Sequence, residues 1–272
     1  MDFETVPDFD QVPGLVGEDL ADDKLYRLDR LRKYMRDCGQ EEHMFFPPLS
    51  LHKIIVPSIL IASINVQNQF EYSYKVTHLS STFSDNDAET LKSLVQWLGH
   101  RPRIVTYNGR SFELPLLKMR CLHHKIPCGV LWLTGDKYDN YDSRYTSTWH
   151  VDMMDVMASH GAARFVKLRE ATACARLPGK IFGSGRDVLH MYLDGKTTEI
   201  QNYCEMDVLE TFLLYVRWQY IKQIIPEEGY LESVHSVLKL LMEKSSEKPH
   251  YSKFLEEWTK SDPDIVNCIK TL

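Results

Sequence analysis

A chain of 272 residues, 43% of them apolar, can bury a full core and reads as one large domain with an appendage. No apolar run approaches a membrane span, the acidic start (Asp2, Glu4, Asp8, Asp10) is unlike a secretory signal, and six cysteines lie scattered without a Cys-x-x-Cys pair. These features argue against a zinc ribbon or disulfide framework and for a reducing, cytoplasmic compartment. A net charge of −6 gives no general attraction to polyanions, so nucleic-acid contact needs a local basic surface or bound cations.

In chain order, Met1 to Val6 is predicted as a short strand cut off by Pro7. Residues 8–50 form a long connection with one basic amphipathic helix, "DDKLYRLDRLRKYMRDCG", closed by Gly39. "KIIVPSILIASINV" (53–66) is a buried strand with a bulge or edge at Pro57, and "FEYSYKVTHL" (70–79) is its hairpin partner. A helix over 87–99 is capped by Asp87 or Ser84. Residues 103–108 make a strand, 111–125 a helix, 148–156 a strand or strand-to-helix junction, and shorter helices fall near 165–176 and 185–194. A long helix opens at Thr198 with Gln201 completing a capping box, and Pro226 and Gly229 stop it before a helical tail. The order predicts an α/β fold with a mixed sheet, a main domain over 1–225 and a tail over 226–272.

Three acidic stations stand out. Asp2 and Glu4 are two apart in a strand, so both leave one face, while Phe3 and Val6 are expected on the other. For an isolated Asp-x-Glu, a solvated strand face is usually the better account. In "IVTYNGRSFELP" a strand ends at Asn108, Gly109 permits a tight turn, and Glu113 enters the first turn of a helix. The helix dipole alone explains Glu113 but leaves Asn108 unexplained. On the long helix, Asp207 falls roughly 20° from Ile200 on the helical wheel, within the stripe expected to be buried, and Tyr203 sits one turn earlier. A buried carboxylate there needs a cation or an ion-pair partner. Four converging acids repel one another unless multivalent cations lie among them. Hard oxygen ligands suit Mg²⁺ or Mn²⁺, and two such ions roughly 4 Å apart are the usual clamp for phosphodiester cleavage.

Motif by motif the chain resembles the DEDD superfamily of 3′–5′ exonucleases, in the tyrosine-containing branch, and most of all the stand-alone group akin to the proofreading domain of family B DNA polymerases. Asp-x-Glu-Thr stands as "DFET", Asn-x-x-x-Phe-Asp as "NGRSFE" and Tyr-x-x-x-Asp as "YCEMD"; "FFPPLSLHKIIVPSIL", "WHVDMMDV" and "LPGK" are also similar. The resemblance runs from residue 1 to about 222, leaving the tail outside it. It implies a ribonuclease H-like mixed sheet flanked by helices, with a C-terminal helical extension. It implies that Asp2 bridges two Mg²⁺ or Mn²⁺ ions, that Glu4 and Asp207 hold the ion that activates water, and that Glu113 supports the second. Tyr203 would orient the water, and Thr5, Asn108 and Phe112 would hold the terminal nucleotide. The second motif departs from the pattern: Glu113 carries one methylene more than the family's aspartate.

Among lesser signals, Arg101, Arg103, Arg110 and Lys118 flank the second motif as candidates for substrate phosphates, Arg110 foremost. The basic helix near residue 30 is more simply a solvated face. Gly179-Lys180 and "GSGR" (183–186) suggest a loop over the site, and Asp152 and Asp155 either brace it or cap the following helix. The leading expectation is a metal-dependent 3′–5′ exonuclease acting on single-stranded nucleic acid, DNA ahead of RNA, with no membrane partner. The rival is a catalytically weakened nucleic-acid- or protein-binding module on the same fold.

Overall fold

The computed structural model describes residues 1–17, 21–40, 45–68, 71–179, 185 and 187–270. Strand β1 (Asp2–Pro7) pairs antiparallel with β2 (His52–Asn68), which pairs antiparallel with β3 (Glu71–Ser81). Strand β4 (Ile104–Thr106) pairs in parallel with β5 (His150–Asp152). The strands form two small sheets, β3-β2-β1 and β4-β5, and the Met1 nitrogen donates to Val105 O at 3.0 Å, which sets the start of β1 beside β4. This is a ribonuclease H-like mixed sheet with helices on both faces.

On one face, Phe3 packs with Leu91, Leu94 and Leu98 of α3 (Asp87–Leu98) and with Leu114 and Leu117 of α4 (Glu113–His124). On the other, Val6 packs with Val188 and Tyr192 of α8 (Val188–Leu193) and with Ile200 and Tyr203 of α9 (Thr197–Ile221). Phe3 and Val6 therefore do not share a face; three positions apart in a strand, they alternate. A register shift between Glu4 and Thr5, opposite Val56 and Ile54, is the irregularity expected near Pro57.

Several local expectations are corrected by contacts that span the chain. Helix α3 is capped by Asn86, whose side chain accepts from Ala88 N at 3.1 Å. Asp87 is buried instead, accepting from Ile54 N and from Arg120, and Arg120 also reaches Asp8 at 2.7 Å. Helix α9 starts at Thr197 without a capping box, because the Gln201 amide donates to Ser81 O. It is buried around most of its circumference, so no single stripe faces a core, and Asp207 is only half-buried. Pro226 and Gly229 do not stop α9, which ends earlier, at Ile221; Pro226 instead precedes α10 (Glu227–Lys244) and Gly229 lies within it. A Cβ on Gly229 would stand 2.2 Å from Tyr72 O, so the helix backbone lies directly against β3 and only glycine fits.

Helix α10 and α11 (Pro249–Ser261) bury Val234, Val237, Leu238, Leu241, Phe254 and Trp258 in the same core as Tyr74 and much of α9. No described helix is long and apolar enough to cross a membrane, and none of the six cysteines forms a disulfide among the described residues. The suggested loop over the site lies mainly at Lys180–Ser184 and Arg186, outside the described residues.

Candidate active site

Strand β1, the start of α4 and the second turn of α9 converge. Ligand atoms of Asp2, Glu4 and Cys204 lie within 4.8 Å of one another. Burial, then the negative charges of Asp207, Glu4 and Asp2, and then a hydrogen bond to Asp207 raise the pKa of Tyr203 far above that of an ordinary phenol. Glu113, 2% exposed, is pushed well above the carboxylate range by burial and by the neighbouring Asp2, to which it is hydrogen-bonded. Its Oε2 is buried without a hydrogen-bond partner among the described residues. A buried carboxylate oxygen of this kind is costly unless something else binds it. The structure thus brings Asp2, Glu4, Glu113, Tyr203 and Asp207 together, with oxygen donors that fit a hard divalent cation.

Cys204 belongs to this cluster and carries no signal in the sequence beyond lying between Tyr203 and Asp207. Its Sγ lies 3.5 Å from Asp2 Oδ2, 3.6 Å from Asp2 O and 3.7 Å from Val56 O, so it faces back into the sheet. Burial, then the surrounding acids, raise its pKa, which favours the neutral thiol where no cation is bound.

The second station is held by a residue far from it in sequence. Asn108 takes a left-handed backbone (φ 70°), and its carbonyl accepts from Ser111 N and Phe112 N. Gly109 serves close packing, since a Cβ there would stand 2.2 Å from Thr106 Oγ1. Asp152, 2% exposed, accepts from Asn108 N at 2.8 Å and Arg110 N at 2.9 Å, and it also caps α6 (Met153–Met157). Both readings of Asp152, as brace and as cap, hold at once.

Beside the acids lies an aromatic corner. Thr5 Oγ1 is 3.0 Å from His52 Nδ1, and His52 Nε2 is 3.0 Å from Pro47 O. Burial lowers the His52 pKa to about 4, so the ring is neutral near pH 7. A carbonyl can only accept, so Nε2 carries the hydrogen and Nδ1 accepts from Thr5. Phe112 precedes Glu113 at the cap of α4, and its ring lies 6.3 Å from that of Phe46.

The flanking cations point elsewhere. Arg110 Nη1 donates to Asp142 O and its Nε lies 3.7 Å from Asp155, so the structure places it in that acidic network rather than among the five site residues. Arg103 donates to Tyr215 Oη and Thr148 O, and Lys118 pairs with Asp142. On α2 (Lys24–Asp37), Arg27 pairs with Asp10 and Asp22, as a solvated helix would.

A family model described as "Predicted 3'-5' exonuclease related to the exonuclease domain of PolB" matches residues 44–258. The match begins after the first acidic station and runs through α10 and most of α11, so the likeness extends well past residue 222. No curated protein matches the chain.

Proposed function

Since the chain belongs to this family of predicted 3′–5′ exonucleases related to the PolB exonuclease domain, we propose that it hydrolyses phosphodiester bonds at the 3′ ends of single-stranded nucleic acid, DNA ahead of RNA, with two Mg²⁺ or Mn²⁺ ions. The observation that supports this reading is that Asp2 stands beside Glu4, beside Tyr203 with its partner Asp207, and beside Glu113, whose Oε2 is buried without a hydrogen-bond partner among the described residues. Asp2, Glu4 and Asp207 would hold one ion, and Asp2 with Glu113 the other. Bound there, the ions supply an acidified water and neutralise charge on the phosphate.

The chain's own groups have distinct tasks. Burial and the neighbouring carboxylates favour the neutral phenol at Tyr203. With its hydrogen given to Asp207, its oxygen is left to accept from a water and orient it. Asn108, fixed in a left-handed turn, and Thr5, fixed through His52, hold the terminal nucleotide, and Phe112 packs against it.

Incubation of 5′-labelled DNA and RNA oligonucleotides with Mg²⁺ or Mn²⁺ tests the reading. A ladder shortening from the 3′ end, absent in Asp2→Ala, is expected. Intact oligonucleotide with clear binding would overturn it in favour of a binding module.

A further inference from the structure

Arg103, which turns away from the acids, stands at the far end of the sheet. It precedes β4 as Thr148 precedes β5, so both lie at the ends of these parallel strands opposite to Asn108. There they border a cleft of about 320 Å³ together with Ser147 and, from the end of α9, Trp218, Gln219 and Lys222. At 1.5 Å for each residue, Trp218 lies about 16 Å along α9 from Asp207, so the cleft is separate from the candidate active site. Arg103 is held by two bonds: Nε donates to Thr148 O at 3.1 Å and Nη1 to Tyr215 Oη at 3.2 Å. Buried Tyr215 is in turn 3.2 Å from Tyr74 Oη. Among the described residues, Arg103 Nη2 has no partner, neither Arg103 nor Lys222 forms an ion pair, and no aspartate or glutamate lines the cleft. Gln219 is 6% exposed, yet its side-chain amide makes no hydrogen bond to any described residue. A buried amide without a partner is costly unless something entering the cleft meets it.

We propose that this cleft binds a nucleoside monophosphate. Two cations without counterions match a phosphate dianion, and Arg103 Nη2 offers two N–H groups to its oxygens. The Trp218 indole supplies an aromatic surface for a base. The Gln219 amide, donor at nitrogen and acceptor at oxygen, meets the base edge, and the Ser147 and Thr148 hydroxyls serve the sugar. The volume stands at the lower end of the range for small-ligand cavities, enough for one nucleotide. Mononucleotides are also what the proposed reaction releases, but the chemistry of the cleft does not depend on that reaction.

The test is calorimetric binding of thymidine 5′-monophosphate, thymidine and inorganic phosphate in EDTA. Without cations the acidic cluster repels phosphate, so binding reports on the cleft. The nucleotide should bind about tenfold tighter than either of its halves. Lys222→Glu, at an exposed position, should weaken it by about tenfold or more. Gln219→Leu, which keeps the bulk and deletes the amide, should weaken it by about tenfold, the scale of one hydrogen bond. Asp2→Ala should bind as wild type does. Phosphate bound as tightly as the nucleotide overturns the proposal, leaving a surface that attracts anions only. Nucleotide binding that survives Lys222→Glu, is abolished by Asp2→Ala, or is absent at millimolar concentration overturns it as well. No turnover is measured, so an inactive protein would sink the exonuclease reading and leave this one standing.

Discussion

One buried carboxylate, that of Asp152, sets the backbone of Asn108: Oδ1 accepts the Asn108 N–H at 2.8 Å, and Oδ2 accepts from Arg110 N at 2.9 Å. Asp152→Asn turns one acceptor into a donor facing a donor. It should cost about 1–3 kcal/mol of stability, typical of a buried group left unsatisfied. KM for oligonucleotide should rise while the Mn²⁺-induced stabilisation persists. Denaturant unfolding and steady-state kinetics check this, and a variant with unchanged KM would show that Asn108 does not need the brace.

Divalent cations should stabilise the fold, because they bind a cluster that the unfolded chain lacks. At a concentration about one hundredfold above Kd, linkage gives roughly 2.7 kcal/mol, or a Tm rise of about 5 °C. Asp207→Ala should remove most of the rise. A Tm indifferent to millimolar Mn²⁺ would count against any metal cluster here.

Tyr203→Phe keeps the ring and deletes the atom proposed to orient water. Turnover should fall while oligonucleotide affinity stays nearly constant, the mark of an interaction made mainly in the transition state. Wild-type turnover would reduce the phenol to a core residue of α9.

Glu113 carries one methylene more than the aspartate of the resembling family, and its backbone is pinned by the Asn108 turn. Mg²⁺ tolerates poor octahedral geometry badly. Mn²⁺ should therefore support faster turnover than Mg²⁺, and Glu113→Asp should raise the Mg²⁺ rate by about tenfold. A slower aspartate variant in single-turnover assays would show a site adapted to glutamate.

Glu205 makes stability pH-dependent. Burial alone would raise its pKa, but hydrogen bonds from His250 and Lys248, the Lys248 charge and the Ser81 hydroxyl bring it to about 2, against an ordinary 4.5. The unfolded chain takes up the proton first, so this stability is full above about pH 4.5 and is lost as pH falls toward 2. It amounts to roughly 3 kcal/mol by linkage. Glu205→Gln should be less stable at neutral pH and show a flatter acid limb in urea titrations. Parallel acid limbs would exclude the clasp as their source.

The acids and the tyrosine were legible because short spacings fix local geometry: period two puts Asp2 and Glu4 together, and one helical turn puts Tyr203 beside Asp207. What the sequence hid is held by contacts between distant positions. Thr5 meets His52 across 47 residues, and Asn108 meets Asp152 across 44. Nearness in sequence to a motif does not fix where a long side chain points: Arg103 reaches Tyr215 and Thr148, and Lys118 reaches Asp142. The helical wheel misled on α9 for a different reason: a helix packed on most sides has no stripe to reveal, and half-buried Asp207 looks toward the site rather than into a core.

Tyr203 and Asp207 look into the site, while Glu205, between them on α9, turns away and is gripped by Lys248, His250 and Tyr251. One stretch of helix therefore answers to two masters, chemistry in front and the tail behind. A chain cut after α9 would leave Glu205 with three fewer partners and would loosen the turn that aims the phenol. Under the proposed function, variants at Lys248 or His250 would slow hydrolysis from behind the helix, and a screen that watches only residues near the substrate would overlook them.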